Sequence, residues 1–223
     1  FLKFYIFVYR YAIPGQFLDS CVKAFSVNAW YSFHGLKNQR EDFDRRCPDT
    51  RRASGQNRGE KMNEMMGRFY MLKISLVDIE PVIWRRFMVP GFITLDRLHD
   101  VIQIVMGWKD SHIHEFTIGK KRYTEYPESR EDGLECGQYR LVNLIKQKGR
   151  TFRYRYDFGD NWEHELLIED SDYFNQDLET MLFCLGGERA CPPEDVGGAP
   201  GYYEFCRVVK DRKHKDRKRL LKW

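Results

Sequence analysis

No stretch of this 223-residue chain approaches the roughly 20 consecutive apolar residues that a membrane-crossing helix needs. Phe1–Ile13 is apolar but is interrupted by Lys3 and Arg10, and it lacks the small-residue cleavage site of a signal peptide. Cysteine pairs are missing too. Cys21, Cys47, Cys136, Cys184, Cys191 and Cys206 are scattered, with no CxxC among them. Without an export signal this favours reduced thiols and a cytoplasmic location over a disulfide framework. There is no Walker loop, dinucleotide-binding glycine fingerprint, nucleophile elbow or HExxH pair, which removes the commonest readable enzyme classes. The serines Ser75, Ser111, Ser129 and Ser171 stand in no arginine cluster, and no helix-turn-helix is evident, so the pattern of a serine recombinase is also wanting.

What is present is uneven. The net charge of +4 is made of an N-terminal part, 1–66, with 11 basic and 7 acidic residues, a middle, 67–206, with 17 basic and 24 acidic, and a tail, 207–223, with 9 basic and 2 acidic. An acidic body does not suggest a nucleic-acid surface, whereas the tail could supply one. Lys37–Glu60 is polar and arginine-rich, and Met62, Met65 and Met66 stand just before the first clean strand signal. The expectation is that 1–66 is a poorly ordered or non-native extension, with translation naturally starting at one of these methionines.

From Phe69 the periodicities sharpen. Leu72, Ile74 and Leu76 alternate with polar residues as in a half-buried strand, Asp78–Pro81 is a turn, and Val82–Val89 is a second strand. Leu95, Leu98, Val101, Ile102, Val105 and Met106 recur at helical spacing, between Thr94 as N-cap and Gly107 as the glycine after the helix. A third strand carries His112, His114, Phe116 and Ile118 on one parity. Glu125–Gly137 reads as a loop, and Tyr139–Lys148 as a short helix or turn. Asp170–Glu179 reads as an acidic loop, and Cys184–Gly201 as irregular. Tyr202–Val209 reads as helix, Asp211–His214 as a break, and Lys215–Trp223 as a second helix.

Between them lies the most informative stretch, a hairpin over 152–168. Placing Tyr156 opposite Trp162 puts Tyr154 opposite His164 and Phe152 opposite Leu166 on an apolar face. Arg155 then meets Glu163, and Arg153 meets Glu165, on the other face. A one-residue slip would destroy both patterns, so the register is well specified. The whole predicts an α+β fold over 67–223: an antiparallel β-sheet with packed helices in a single compact domain.

Four motifs then point to a family. Ile79–Arg86 resembles xxPxIWRR, and Leu95–Trp108 with Ser111–Phe116 resembles LHxxIQxxMGWxxxHxHxF. Tyr156–His164 resembles YDFGDxWxH, and Gly186–Gly198 with Gly201-Tyr202 resembles GxRACPPEDCGGxxGY. Together they resemble the family named after the third open reading frame of an Ri plasmid, also labelled TnpR-like passengers of insertion sequences. The resemblance covers about Met71–Trp223 and implies a compact α+β domain, an association with mobile elements and no demonstrated chemistry. Val196 stands where the family pattern often has cysteine, and the family leads one to expect further residues closing the domain after Trp223.

The sharpest candidate site is the acid–histidine set: His112, His114, Asp157, Asp160, Asn161 and His164, with Glu194 and Asp195 from the glycine-rich segment. Histidine nitrogens and carboxylates can bind a divalent metal and leave a position for water, with His112, His114, Asp160 and His164 as the candidate ligands; spacing alone is not diagnostic, though His-x-His on a strand puts both imidazoles on one face. The competing reading is structural: His164 as a hydrogen-bonded core histidine, and Asp157, Asp160 and Asn161 capping their own turn. Cys184 and Cys191, with the third cysteine absent at Val196, hint at a zinc or redox site elsewhere in the family; here two thiols remain, with Cys206 beyond the glycines, and the expectation is buried free thiols. Trp84-Arg85-Arg86 invites a nucleic-acid reading, but strand geometry sends Arg85 and Arg86 to opposite faces. The better basic patch is Arg212, Lys213, Lys215, Arg217, Lys218 and Arg219. Three functions follow as expectations: a binding or accessory protein, a metal-dependent hydrolase, or a DNA-binding protein using the tail.

Overall fold

The computed structural model describes Lys23–Phe25, 68–174 and 182–222. The expectation for 1–66 therefore falls outside the described residues, except for Lys23–Phe25. The strands are β1 Lys23–Phe25, β2 Arg68–Leu76, β3 Trp84–Pro90, β4 His114–Ile118, β5 Lys121–Thr124, β6 Leu134–Glu135, β7 Thr151–Tyr156, β8 Trp162–Phe174 and β9 Leu182–Glu188. The helices are α1 Leu95–Met106, α2 Leu141–Leu144, α3 Gly198–Lys210 and α4 Arg217–Leu220, with a 3-10 turn at Cys136–Gln138. Among the described residues the nine strands join one sheet in the order β1-β9-β3-β2-β8-β7-β4-β5-β6. Mostly sheet with a few helices is an α+β arrangement, but the sheet is mixed, because β5 and β6 pair in parallel.

The hairpin forms in the register its side chains require. Tyr156 pairs with Trp162, Arg155 with Glu163, Tyr154 with His164, Arg153 with Glu165 and Phe152 with Leu166. β8 runs past the hairpin to pair with β2 as far as Arg68, opposite Phe174. The expected acidic loop at 170 is therefore strand up to Phe174. Acidic residues are tolerated there because Asp172 is exposed, and a register irregularity near Met71 absorbs the twist.

One face of the sheet carries the core. Leu72, Ile74, Leu76, Phe87, Val89, Phe116, Phe152, Tyr154, Leu166 and Ile168 pack with Leu95, Leu98, Val101, Ile102 and Met106 of α1 in one cluster. Removing such a side chain, as in Leu98→Ala, costs about 2–5 kcal/mol in cores of this kind. α1 ends where expected, on Gly107 at φ 82°. Its start is different: Thr94 occupies the N-cap position without a side-chain bond. The Leu95 amide instead donates to the Tyr139 carbonyl at 3.0 Å, so the segment before α2 does the capping.

The glycine-rich stretch from Cys184 is not irregular at its start, since it lies within β9. Gly186 and Gly187 sit opposite Arg86 and Arg85 of β3. A Cβ on Gly187 would stand 2.6 Å from Arg85 Cδ, and one on Gly186 would stand 3.9 Å from the Trp84 ring. These glycines make room for neighbouring side chains rather than turn the chain.

Candidate functional site

The site is assembled where the β7–β8 turn, the segment before β4 and the loop between β9 and α3 meet. In the turn, the Asp157 carboxylate is divided between two tasks. Its Oδ1 accepts the Gly159 amide at 2.9 Å and the Asp160 amide at 3.2 Å, while its carbonyl accepts the Asn161 amide at 2.6 Å. Its Oδ2 points away from the turn and lies 3.5 Å from His112 Nε2. The structural and the chemical readings of this residue therefore apply to different oxygens.

His112 precedes β4 rather than belonging to it, so it escapes the strand's alternation. Its ring stands edge-on to Tyr156, with centroids 5.9 Å apart. Its Nε2 lies 3.0 Å from Asp195 Oδ1. Neither carboxylate contact has hydrogen-bond geometry, and this buried nitrogen has no other partner. The ligand atoms of His112, Asp157 and Asp195 all fall within 4.8 Å of one another.

Asp195 is held in place from several sides. The Arg85 guanidinium donates to the carbonyls of Trp84, Glu188, Arg189 and Val105. Trp108 Nε1 donates to the Pro192 carbonyl at 2.9 Å, and the Tyr202 hydroxyl donates to the Ala190 carbonyl at 3.1 Å. The Tyr156 hydroxyl donates to Glu194 Oε1 at 2.7 Å and accepts the Ser111 amide at 2.9 Å. Burial, followed by the Glu194 bond, raises the Tyr156 phenol above its usual range, so it stays a donor. Asp157 and Asp195 both adopt left-handed backbone, at φ 55° and 57°. Aspartate takes up such conformations more readily than most residues, and they cluster at functional sites.

The other candidate residues lie elsewhere. His114 is buried, stacked on His99 with ring centroids 3.6 Å apart and planes 8° apart. Burial first, and His99 second, bring its pKa down to about 3. His164 is fully buried, its Nδ1 lies 3.2 Å from the Tyr154 carbonyl, and burial brings its pKa to about 4. Asp160 ties the hairpin to α3, its Oδ2 accepting the Gly197 amide at 3.0 Å. Asn161 sits at φ 53° and lines a crevice of about 10 Å³ that holds no more than a water. Of the four candidate metal ligands, only His112 lies in the convergent set. The partners it meets, Asp157 and Asp195, come from the wider candidate list.

A family model for plasmid pRiA4b ORF-3-like proteins matches residues 68–223. The chain belongs to the plasmid pRiA4b ORF-3-like family. "Uncharacterized protein y4hQ" of Sinorhizobium fredii (strain NBRC 101917 / NGR234) is 38% identical over 161 residues, 71% of this chain and 82% of that protein. The crystal structure of a protein of unknown function, MM3350 from Methanosarcina mazei Go1, is 33% identical with a TM-score of 0.62. That match covers 70% of this chain and 89% of that one. The functional reading of this member of the pRiA4b ORF-3-like family therefore rests on its own geometry.

Two of the family's motifs acquire physical roles here. The two arginines of the Trp-Arg-Arg motif diverge. Arg85 anchors the loop that carries Asp195, while Arg86 pairs with Glu169 through bonds of 2.5 and 2.8 Å. The cysteines of the last motif and its neighbours include the free thiols Cys136, Cys191 and Cys206, and burial pushes Cys191 up to about 11 against the opposing pull of Arg85. Cys21 and Cys47 lie outside the described residues.

Sequence reading missed a second polar network. His99 Nδ1 lies 2.8 Å from the Tyr154 hydroxyl and its Nε2 lies 2.7 Å from Asp110 Oδ1. Gln103 Nε2 donates to the same hydroxyl at 3.1 Å, and Gln103 Oε1 accepts the Asp110 amide. The available signal was His99 and Gln103, four apart on a helix and both on its buried face. His99, Asp100 and Asp110 also cluster at metal-ligand distances. Both ring nitrogens of His99 are already engaged, however, and Asp100 pairs with Arg97 at 3.0 Å. Hydrogen bonding therefore accounts for that group.

Proposed function

We propose that the protein is a divalent-cation-dependent binding protein, with His112, Asp157 and Asp195 as the cation's protein ligands. The observation that carries this reading is the His112 nitrogen left without a hydrogen bond between two carboxylates, at 3.0 and 3.5 Å. Bonds of about 2.1 Å to a tetrahedral ion place ligand atoms about 3.4 Å apart, which suits the observed spacing. One imidazole and two carboxylates suit a borderline or hard ion such as zinc or manganese. Three protein ligands leave a position open, and Asp195, with its side chain 67% exposed, marks the open side. An anionic or carbonyl-bearing ligand would enter there.

Metal-dependent hydrolysis is a second reading, favoured by Glu194. It adjoins Asp195, and its Oε1 is steered by Tyr156, so a second carboxylate borders the open side and could take a proton from a cation-bound water. A cytoplasmic location and the mobile-element association implied by the family resemblance belong to this proposal as well, and the cation site does not depend on either.

The test is titration calorimetry of chelator-treated protein with manganese and with zinc. One equivalent should bind. An Asp157→Asn/Asp195→Asn variant should bind at least about tenfold more weakly, since loss of a ligand exceeds the ~10–100-fold cost of losing an outer partner. Equal affinity in wild type and variant, or no stoichiometric uptake, would refute the site.

A further inference from the structure

The C-terminal part of α3, the turn after it and α4 together form a basic end to the molecule. Lys210, Arg212, Lys213, Lys215, Lys218 and Lys222 are all exposed. None of them is ion-paired among the described residues. The other cations of the segment are engaged. Arg207 pairs with Glu204 at 2.6 Å and Arg219 with Asp216 at 3.6 Å, while Arg217 Nε turns inward to the Val209 carbonyl at 2.9 Å.

This is a built surface rather than a loose tail. Val208 and Leu220 are buried, and Arg217 stitches the returning chain to α3. The turn is closed by the His214 amide on the Asp211 carbonyl and the Lys213 amide on Asp211 Oδ1. A single long helix would have spread these charges around its axis. The break at Asp211 instead returns the chain so that Arg217 reaches the Val209 carbonyl, and the six cations without ion-pair partners come from the end of α3, the turn and α4. Such self-repulsion opposes folding and is relieved by an anionic partner.

The surroundings narrow the partner. Among the described residues the exposed large apolar side chains are Val77, Val82, Ile104, Ile113, Tyr126, Phe158 and Tyr203, and none lies between 207 and 222. The surface therefore offers no apolar wedge for a bilayer. Among the described residues it also has no exposed aromatic platform for stacking single-stranded bases. The four-residue α4 is too short to lie along a groove and read base edges. What remains is a set of cations suited to regularly spaced phosphates.

We propose that this basic end binds the phosphate backbone of duplex nucleic acid without reading its sequence. The interaction is independent of the cation site at the opposite end of α3.

The test is fluorescence anisotropy of the whole protein with a labelled random-sequence duplex of about 20 base pairs at graded salt. If all six cations meet phosphates, log K against log salt should fall with a slope of about −5. Replacing the six with glutamine should weaken binding by at least about tenfold and flatten the slope. Lys213→Gln/Lys215→Gln/Lys218→Gln should reduce the slope by about 3, and circular dichroism shows whether each variant is folded. Asp157→Asn should leave binding unchanged. Failure of the wild type to bind at 50 mM salt, variants that bind as wild type does, or equal binding to phosphatidylserine vesicles would each overturn the proposal.

Discussion

Gly198 fits beneath Asp160 with no room for a methyl group: a Cβ on the glycine would stand 2.6 Å from the aspartate carbonyl oxygen. The hairpin tip and the start of α3 are therefore in backbone contact, and Asp157 and Asp195 are positioned by the two sides of that contact. Gly198 also has φ 64°, which costs an L-residue about 1–2 kcal/mol. Gly198→Ala should lose more than about 2 kcal/mol in urea denaturation once the overpacking is added, and its cation affinity should fall. A stability within 0.5 kcal/mol of wild type would show that the contact yields freely.

Adjacent arginines should behave very differently. Arg86→Ala removes a pair with Glu169 whose side chains are 38% and 20% exposed, so the loss should stay below about 1 kcal/mol. Arg85→Ala strips donors from several carbonyls at once and loosens the 189–195 loop, which should cost about 2–4 kcal/mol. Paired denaturation curves decide the matter, and equal costs would contradict the anchoring role of Arg85.

Tyr154→Phe deletes one hydroxyl from the buried network. His99 Nδ1 and Gln103 Nε2 both lose their partner, so about 1–3 kcal/mol should go although the apolar packing is conserved. Thermal unfolding checks that loss, and calorimetric cation titration of this variant beside Tyr156→Phe, which affects the Glu194 loop, separates the two networks. Only Tyr156→Phe should alter cation uptake.

His164 makes folding sensitive to acid. Its pKa falls from about 6.5 unfolded to about 4 folded, so between these values the unfolded chain holds a proton that the native chain does not. Its contribution is fully present above pH 6.5 and is lost as pH drops to about 4, amounting to roughly 3 kcal/mol in all. His164→Gln should remove close to one proton, or about 1.4 kcal/mol per pH unit, from the stability slope near pH 5. An unchanged slope would assign the acid sensitivity to other groups.

The hairpin was legible because two patterns, aromatic on one face and opposite charge on the other, constrain the same register. α1 was legible from its period and Gly107, though not its capping, which the distant Tyr139 carbonyl performs. The candidate site was legible as a list of residue types. Which members meet depends on features no local period encodes. His112 lies just outside β4 and so turns toward Asp195, while His114, two residues on, is drawn into a stack with His99 from another element. Gly186 and Gly187 misled for a similar reason, since their role is set by the side chains of a strand about 100 residues earlier in the chain.

With its first residue against the hairpin tip and its last at the basic turn, α3 works as a strut between the proposed cation site and the proposed phosphate-binding end. Its 13 residues fix their separation at about 20 Å, rigidly, because helical rise is about 1.5 Å per residue. Duplex DNA carries a charge every ~1.7 Å of axis, so a molecule touching both ends must present about twelve charges in a row. Mononucleotides and free phosphate fall short of that span, so no such small anion can bridge the two places, and each place must be filled separately.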